Sequence, residues 1–499
     1  METISRRLFL KGACVTVASL SAPALLRTAG AQPPMSPAEE FPAPEAIDRI
    51  LSQALSRGGD YADLYLESGA STGITLTDGR IQGMEFGILR GGGVRTVIGE
   101  RVGYAYAESL EVAPLFEAAT TSAAIASGGA RGAAQPVSPI NFPHYITIQD
   151  AIQSEAVARK VALLERVDRA ARAVSPAVQQ VVVGYDDSLR SVMIGNSAGQ
   201  LARDILPLIY LRVTVTAEKD GRRAEGMHRI SHRAGMEQLA GDAPEAAARV
   251  AAERAMRMLE AVPAPTGEMP VVIAAGGGVM FHEAVGHGLE ADSVMRDASV
   301  FTGRSGQRVA SDLVNLYDDG TMTGERGTIN VDDEATLSQR TLLIERGVLR
   351  GYLQDRRTAR NLSAMPTGNG RRQSFRFPAI VRMSNTNLAP GPEAPEEIIR
   401  ATPNGIYAAY FGGGEVDTVS GQFTFGLMEA YRIEEGRVTA PIRGANLVGS
   451  GIQVLERIDR VGSDFATWPG TCGKGDQWVP VSSGCPTLRI SKITVGSTA

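Results

Sequence analysis

The chain has little of what marks several large classes of protein. Aromatic side chains make up only 5% of its 499 residues, and no basic stripe with interleaved aromatics occurs. The usual carriers of base stacking and phosphate tracking are missing, so no nucleic-acid partner is expected. Cysteine is scarce: Cys14, Cys472 and Cys485 are too few for a disulfide scaffold in a chain of this length. The apolar run Val15 to Leu26 is shorter than the ~20 residues of a membrane span and is interrupted by Pro23, so no stable membrane anchor is expected. Histidine occurs only five times, which gives weight to any pair that stands close together. No repeat of solenoid period is visible.

What is present is ordinary globular composition, 43% hydrophobic and 21% charged, in a chain long enough for about three folding units. The N-terminus differs in kind. Ser5-Arg6-Arg7-Leu8-Phe9-Leu10-Lys11 opens a basic segment, the apolar stretch follows, and Ala29-Gly30-Ala31 offers a small-residue cleavage site. Together these predict a twin-arginine export signal over residues 1–31, cleaved after Ala31, and a periplasmic mature chain. Arg6, Arg7, Lys11 and Arg27 leave with Glu2, which takes the formal net charge from −5 to −8, an acidic balance that favours solubility.

Glycine and proline punctuate the rest. A Pro-rich linker occupies residues 32–44, and a first α+β domain is expected over 45–128: a helix from Glu45 to Arg57, short strands at Ala62–Leu66 and Gly73–Leu76, a hairpin around Gly99-Glu100, and a helix from about Leu110 to Ala126. A middle α+β domain follows over 140–262, with helices at Ser154–Val174 and Pro244–Glu260 and strands at Gln179–Gly184 and Leu208–Ala217. Residues 268–499 are dense in short strands and glycine turns and predict a β-rich, barrel-like C-terminal domain carrying one important helix. The fold class is α+β. Gly412-Gly413-Gly414 lacks the Lys-Ser or Lys-Thr of a phosphate loop and reads as tight turn geometry.

Two of the five histidines sit in Phe281-His282-Glu283-Ala284-Val285-Gly286-His287-Gly288-Leu289-Glu290-Ala291-Asp292. A Glu beside the first of two closely spaced histidines is the pattern of metal-assisted hydrolysis, with the imidazoles as ligands and the carboxylate as general base. The histidines are five apart, which on a regular α-helix separates them by roughly 140°, too far for one tetrahedral ion. A wider, π-like turn around Ala284 to Gly286 is therefore expected, with Gly286 relaxing the backbone. A catalytic zinc wants three protein ligands and an open position. His144, His228 and His232 carry no neighbouring metal spacing and are expected to be surface or hydrogen-bonded residues. A thiolate is the better candidate: Gly470-Thr471-Cys472-Gly473-Lys474-Gly475 reads as a flexible loop in which Lys474 favours deprotonation. Glu290 and Asp292 are either hydrogen-bond partners of the imidazoles or solvated charges. Arg371 and Arg372 either grip substrate or make surface ion pairs.

The motif His282-Glu283-Ala284-Val285-Gly286-His287-Gly288-Leu289-Glu290 is joined by Thr367-Gly368-Asn369-Gly370-Arg371-Arg372, Gly412-Gly413-Gly414-Glu415-Val416-Asp417, Glu429-Ala430-Tyr431 and Cys472-Gly473-Lys474. With these the chain resembles the TldD/PmbA metalloprotease family, also known as modulators of DNA gyrase, and within it the catalytic TldD type. The resemblance implies Zn2+ held by His282, His287 and Cys472, with Glu283 as catalytic base. It implies unfolded or short peptide substrates reaching a chamber between two subunits, and hence a homo-dimer or a hetero-oligomer with a related non-catalytic subunit. The export signal departs from the family's cytosolic members. A disulfide between Cys472 and Cys485 would close a short loop worth about 3 kcal/mol but would consume the third ligand; zinc loaded before export favours the free thiol. The alternative reading is a non-catalytic peptide-binding scaffold with a structural zinc.

Overall fold

The structure is a computed structural model that describes residues 41–128, 132–148, 152 and 155–497. The export signal expected over residues 1–31, and most of the linker after it, lie outside the described residues.

The segments read as a first and a middle domain share one sheet. Tyr61–Thr77 pairs with Arg80–Ile98 on one side and with Val178–Asn196 on the other, and Ala198–Lys219 continues the sheet beyond that strand. Where the sequence predicts two short strands, at Ala62–Leu66 and Gly73–Leu76, the structure has one, and Gly69 and its small neighbours lie between the two predicted stretches. They are part of this central strand, where Gly69 is closed in by the Leu189 carbonyl oxygen, 3.1 Å from where its Cβ would be. Two helix pairs cover this sheet. Pro44–Ala54 and Val112–Ile125 bury Ile47, Ile50, Leu51 and Leu115 against Leu64, Leu66 and Val94. Val157–Arg172 and Ala243–Leu259 bury Leu163, Leu164, Ala248 and Ala252 against Ile74, Leu76, Val213 and Val215. The apolar positions of each helix recur at three and four, so one stripe meets the sheet; Lys160 and Arg254 are buried as well, paired with Asp187 and Glu429.

Tyr65, Val192 and Ile194 pack with Phe375 and Val331 of the C-terminal domain. Buried ion pairs accompany that contact: Arg95 bridges Asp63 and Glu334, and Arg372 reaches Asp63 at 2.9 Å. A guanidinium fork can satisfy two carboxylates at once, which is how these charges stay buried.

The C-terminal domain is β-rich and barrel-like. Asn404–Val416, Gly267–Ile273, Leu488–Ser497, Ala445–Ser450 and Gln422–Glu434 form a closed ring, completed by pairing of the last with the first. A second sheet ends in the hairpin of Gln477–Cys485 and Ala466–Lys474. The triple glycine Gly412-Gly413-Gly414 is not a tight turn. It lies inside Asn404–Val416, in a stretch of bulges where a Cβ on Gly414 would fall 2.2 Å from the Phe425 ring. Gly470 to Lys474 is likewise strand rather than flexible loop, and the turn falls at Gly475 and Asp476, both at positive φ. Barrel and second sheet share one core, in which Phe281, Val285 and Leu289 of the histidine motif meet Phe301, Met383 and Phe411.

Candidate metal centre

The barrel strand Gly267–Ile273 runs through Gly276-Gly277-Gly278 into the helix Val279–Ala284, which carries His282 and Glu283. Val285 leaves helical geometry at φ −124 and ψ −50, and Gly286–Leu289 resumes as a tighter 3-10 turn carrying His287. The distortion demanded by the five-residue spacing therefore falls where expected, but as a break followed by a tighter turn rather than a wider π-like turn. Gly286 serves it by lack of bulk, since a Cβ there would lie 2.1 Å from Met383 Sδ.

Across from this helix, Cys472 points inward from Ala466–Lys474. One ligand atom from each of His282, His287 and Cys472 lies within 4.8 Å of the others, and all three residues are buried. Cys472 Sγ is 3.2 Å from His287 Nε2, and the two imidazole rings stand nearly perpendicular, 5.6 Å apart. Glu283 sits on the open side, its Oε2 3.5 Å from the same Nε2. Neither ring nitrogen of His282 has a hydrogen-bond partner although both are buried. Burial pushes the Cys472 thiol up, but the charge of His287 and His282 outweighs it and holds the thiol well below its ordinary range. Buried orphan nitrogens beside a thiolate make a donor set that fits one borderline-soft cation.

The groups around this trio fix it. His287 Nδ1 bonds Glu290 Oε2 at 2.8 Å, which leaves Nε2 to face Cys472. Burial pushes the Glu290 carboxyl up, but Lys474 and His287 outweigh it and bring it down to about 2. Lys474 Nζ lies 2.9 Å from Glu290 and 2.6 Å from Asp292. Asp292 thus pairs with the lysine rather than with an imidazole, and neither acid is a solvated charge. The imidazoles are the main charges that lower the thiol, and Lys474, to which its sequence position points, pairs with Glu290 and Asp292. Its true role was hidden because Cys472 and Lys474 share a strand face two residues apart, and the segment reads as loop.

Arg371 and Arg372 neither line the cleft nor make surface pairs. Both are buried: Arg371 donates to the carbonyls of Met383 and Pro480, and Arg372 to Asp63 and the Asp333 carbonyl. Arg382, which the sequence did not single out, donates to the carbonyl of Cys472. Cys472 and Cys485 are both free and buried. They face Val479 and Ala466 at opposite ends of one hairpin, about 20 Å apart at the usual rise per residue. Burial pushes the Cys485 thiol up to about 12. His144, His228 and His232 stand apart from the trio; His232 Nδ1 meets the Gly324 carbonyl at 3.0 Å. An open cleft of ≈ 510 Å³ leads to the site, lined by Glu283, His287, Glu415, Val416, Gly473 and Lys474 among others.

Residues 266–497 match the PmbA/TldA metallopeptidase C-terminal domain, 151–259 the central domain and 62–126 domain 1. A metalloprotease TldD homolog of Haemophilus influenzae is 41% identical over 455 residues, covering 89% of this chain and 94% of the relative. A zinc metalloprotease TldD homolog of Saccharolobus solfataricus is 32% identical over 246 residues, 49% of this chain and 55% of the relative. TldE from Thermococcus kodakarensis shares the fold with a TM-score of 0.74 at 17% identity, covering 91% of this chain and 100% of that one. With three domain matches along the chain and TldD relatives spanning most of it, the chain belongs to the PmbA/TldD family and is a metallopeptidase of the TldD type.

Proposed function

We propose that the chain is a zinc-dependent peptidase acting on unfolded or short peptides, with His282, His287 and Cys472 holding the ion and Glu283 as general base. The observation that carries this reading is the meeting of two imidazoles and a distant thiolate within 4.8 Å, with a carboxylate on the open side 3.5 Å from a ligand nitrogen. One sulfur and two nitrogens suit zinc better than the harder oxygen-seeking cations. When bound, the ion supplies Lewis acidity that lowers the pKa of water towards ~7 and polarises a scissile carbonyl.

The chain's own residues do the rest. Glu283 takes the proton of the attacking water and passes it to the leaving amine. Glu290 keeps the His287 ring in one tautomer and orientation, and Lys474 keeps Glu290 ionised in a buried setting. The cleft gives a peptide main chain an edge to follow: Gly267–Ile273 pairs with Asn404–Val416 only as far as Ala408, and Glu415 and Val416 beyond it line the cleft. An extended substrate laid against this edge is held by main-chain hydrogen bonds with weak sequence preference.

The reading includes a second subunit, either another copy of this chain or a related non-catalytic one. Its support is an open edge: Arg80–Ile98 pairs with Arg101–Ala107 only from Gly92 onwards, and Met84, Phe86 and Ile88 stand exposed along the uncovered part. It also includes export on the Arg6-Arg7 signal. Metal content and peptide cleavage, measured together on Glu283→Gln and Cys472→Ser, test the peptidase reading.

A further inference from the structure

At the other end of the metal-motif helix lies a second cavity, of ≈ 440 Å³, where Arg222–His232 and Ala243–Leu259 meet the C-terminal domain. It shares no lining residue with the metal cleft. Two buried nitrogens in its wall, His228 Nδ1 and Arg229 Nε, have no hydrogen-bond partner, and the buried Tyr410 hydroxyl lies beside the Arg229 guanidinium. Tyr410 is 7% exposed, so its hydroxyl is cut off from bulk water. An unmet buried group costs about 1–3 kcal/mol, so these atoms favour an occupant of the cavity that offers them matching hydrogen-bond partners.

The wall is rigid. The Arg254 guanidinium lies 3.7 Å from the Tyr410 ring centre, Tyr410 and Trp468 are 4.2 Å apart, and the Arg229 guanidinium lies 4.6 Å from Trp468. Arg254 is neutralised by Glu429, whereas Arg229 has no carboxylate partner among the described residues. Burial, with Arg254 and Arg229 adding to it, holds His228 down to about 4, so the ring is neutral and can donate from Nδ1. One acid shares the cavity: Glu325, whose Oε1 accepts from Thr467 Oγ1 at 2.9 Å.

We propose that this cavity binds an amino acid or short peptide with both termini free. Its carboxylate accepts hydrogen bonds from Arg229, Tyr410 and His228, and its ammonium group faces Glu325. A single unpaired guanidinium beside an acid suits a zwitterion and disfavours a multiply charged anion such as phosphate. The cavity volume suits a ligand of one to two residues. The proposal uses no residue assigned to the metal or the base, so it stands or falls apart from the hydrolytic reading.

The test is a binding titration on the full chain carrying Glu283→Gln, so that no probe is consumed, and Trp478→Phe, so that Trp468 is the sole tryptophan reporter. The probes are the dipeptide Gly-Leu, its C-terminal amide and its N-acetyl form. Gly-Leu gives a saturable fluorescence change; the amide binds about tenfold more weakly or worse, as does Gly-Leu to the Arg229→Gln protein. Tyr410→Phe removes one hydroxyl and keeps the ring that packs on Arg254 and Trp468, so it keeps the melting temperature and weakens Gly-Leu about threefold to tenfold. The N-acetyl form binds more weakly than Gly-Leu, and Glu325→Gln narrows that difference. The proposal is overturned if acid and amide bind alike, if Gly-Leu does not saturate, or if Arg229→Gln and Tyr410→Phe proteins of unchanged melting temperature bind Gly-Leu as the parent does.

Discussion

Glu290 accepts a hydrogen bond from His287 Nδ1 at 2.8 Å, deep in the protein and beside Lys474. This pairing aims the other ring nitrogen at Cys472. Glu290→Gln is expected to weaken zinc about 10-fold to 100-fold, because the bond then no longer demands one tautomer or raises the basicity of the ring. Competition against a chromophoric chelator reads this directly; unchanged affinity would remove Glu290 from the account.

Gly286 is held against Met383, with no room for a side chain. Gly286→Ala should cost about 1–3 kcal/mol by overpacking a buried contact. The melting temperature should fall, and adding Met383→Ala should restore part of it. A double variant no more stable than Gly286→Ala alone would locate the strain elsewhere.

The histidine motif was legible because it is local: two scarce histidines and a carboxylate within six residues carry their own geometry. Even the need for a backbone distortion followed from residue spacing. The partner cysteine lies far along the chain, and the residues alone could offer it only as a better candidate than His144, His228 or His232. The long strands were least legible. Gly91, Gly92 and Gly93 punctuate the sequence, yet they sit within Arg80–Ile98, where a Cβ on Gly91 would lie 2.5 Å from the Phe375 ring and one on Gly93 1.9 Å from the Tyr104 hydroxyl. Such glycines mark close approach to another chain segment, which no local pattern reveals. The roles of Arg371 and Arg372 were obscured in the same way, since their partners come from Pro480 and Asp63.

The burial of His228 predicts a pH dependence of stability. Its folded-state value of about 4 lies below the ordinary 6.5, so the unfolded chain binds the proton more readily between the two. The stabilisation is complete above about pH 6.5 and is lost as pH falls towards 4. His228→Gln should flatten melting temperature against pH over that window. An unaltered slope would mean that other groups set it.

The open edge of Arg80–Ile98 should matter to assembly. Phe86→Lys places a charge on the exposed apolar row of Met84, Phe86 and Ile88 and is expected to shift sedimentation towards monomer, leaving the melting temperature of the isolated chain within about 0.5 kcal/mol equivalent. A sedimentation profile identical to the parent's would place the subunit contact on another surface.

The most direct test of the central claim is zinc content measured together with peptide cleavage on Glu283→Gln and Cys472→Ser. The account predicts that both variants lose cleavage, that Glu283→Gln keeps one zinc per chain, and that Cys472→Ser loses it. Full cleavage by Glu283→Gln, or full zinc in Cys472→Ser, would contradict it.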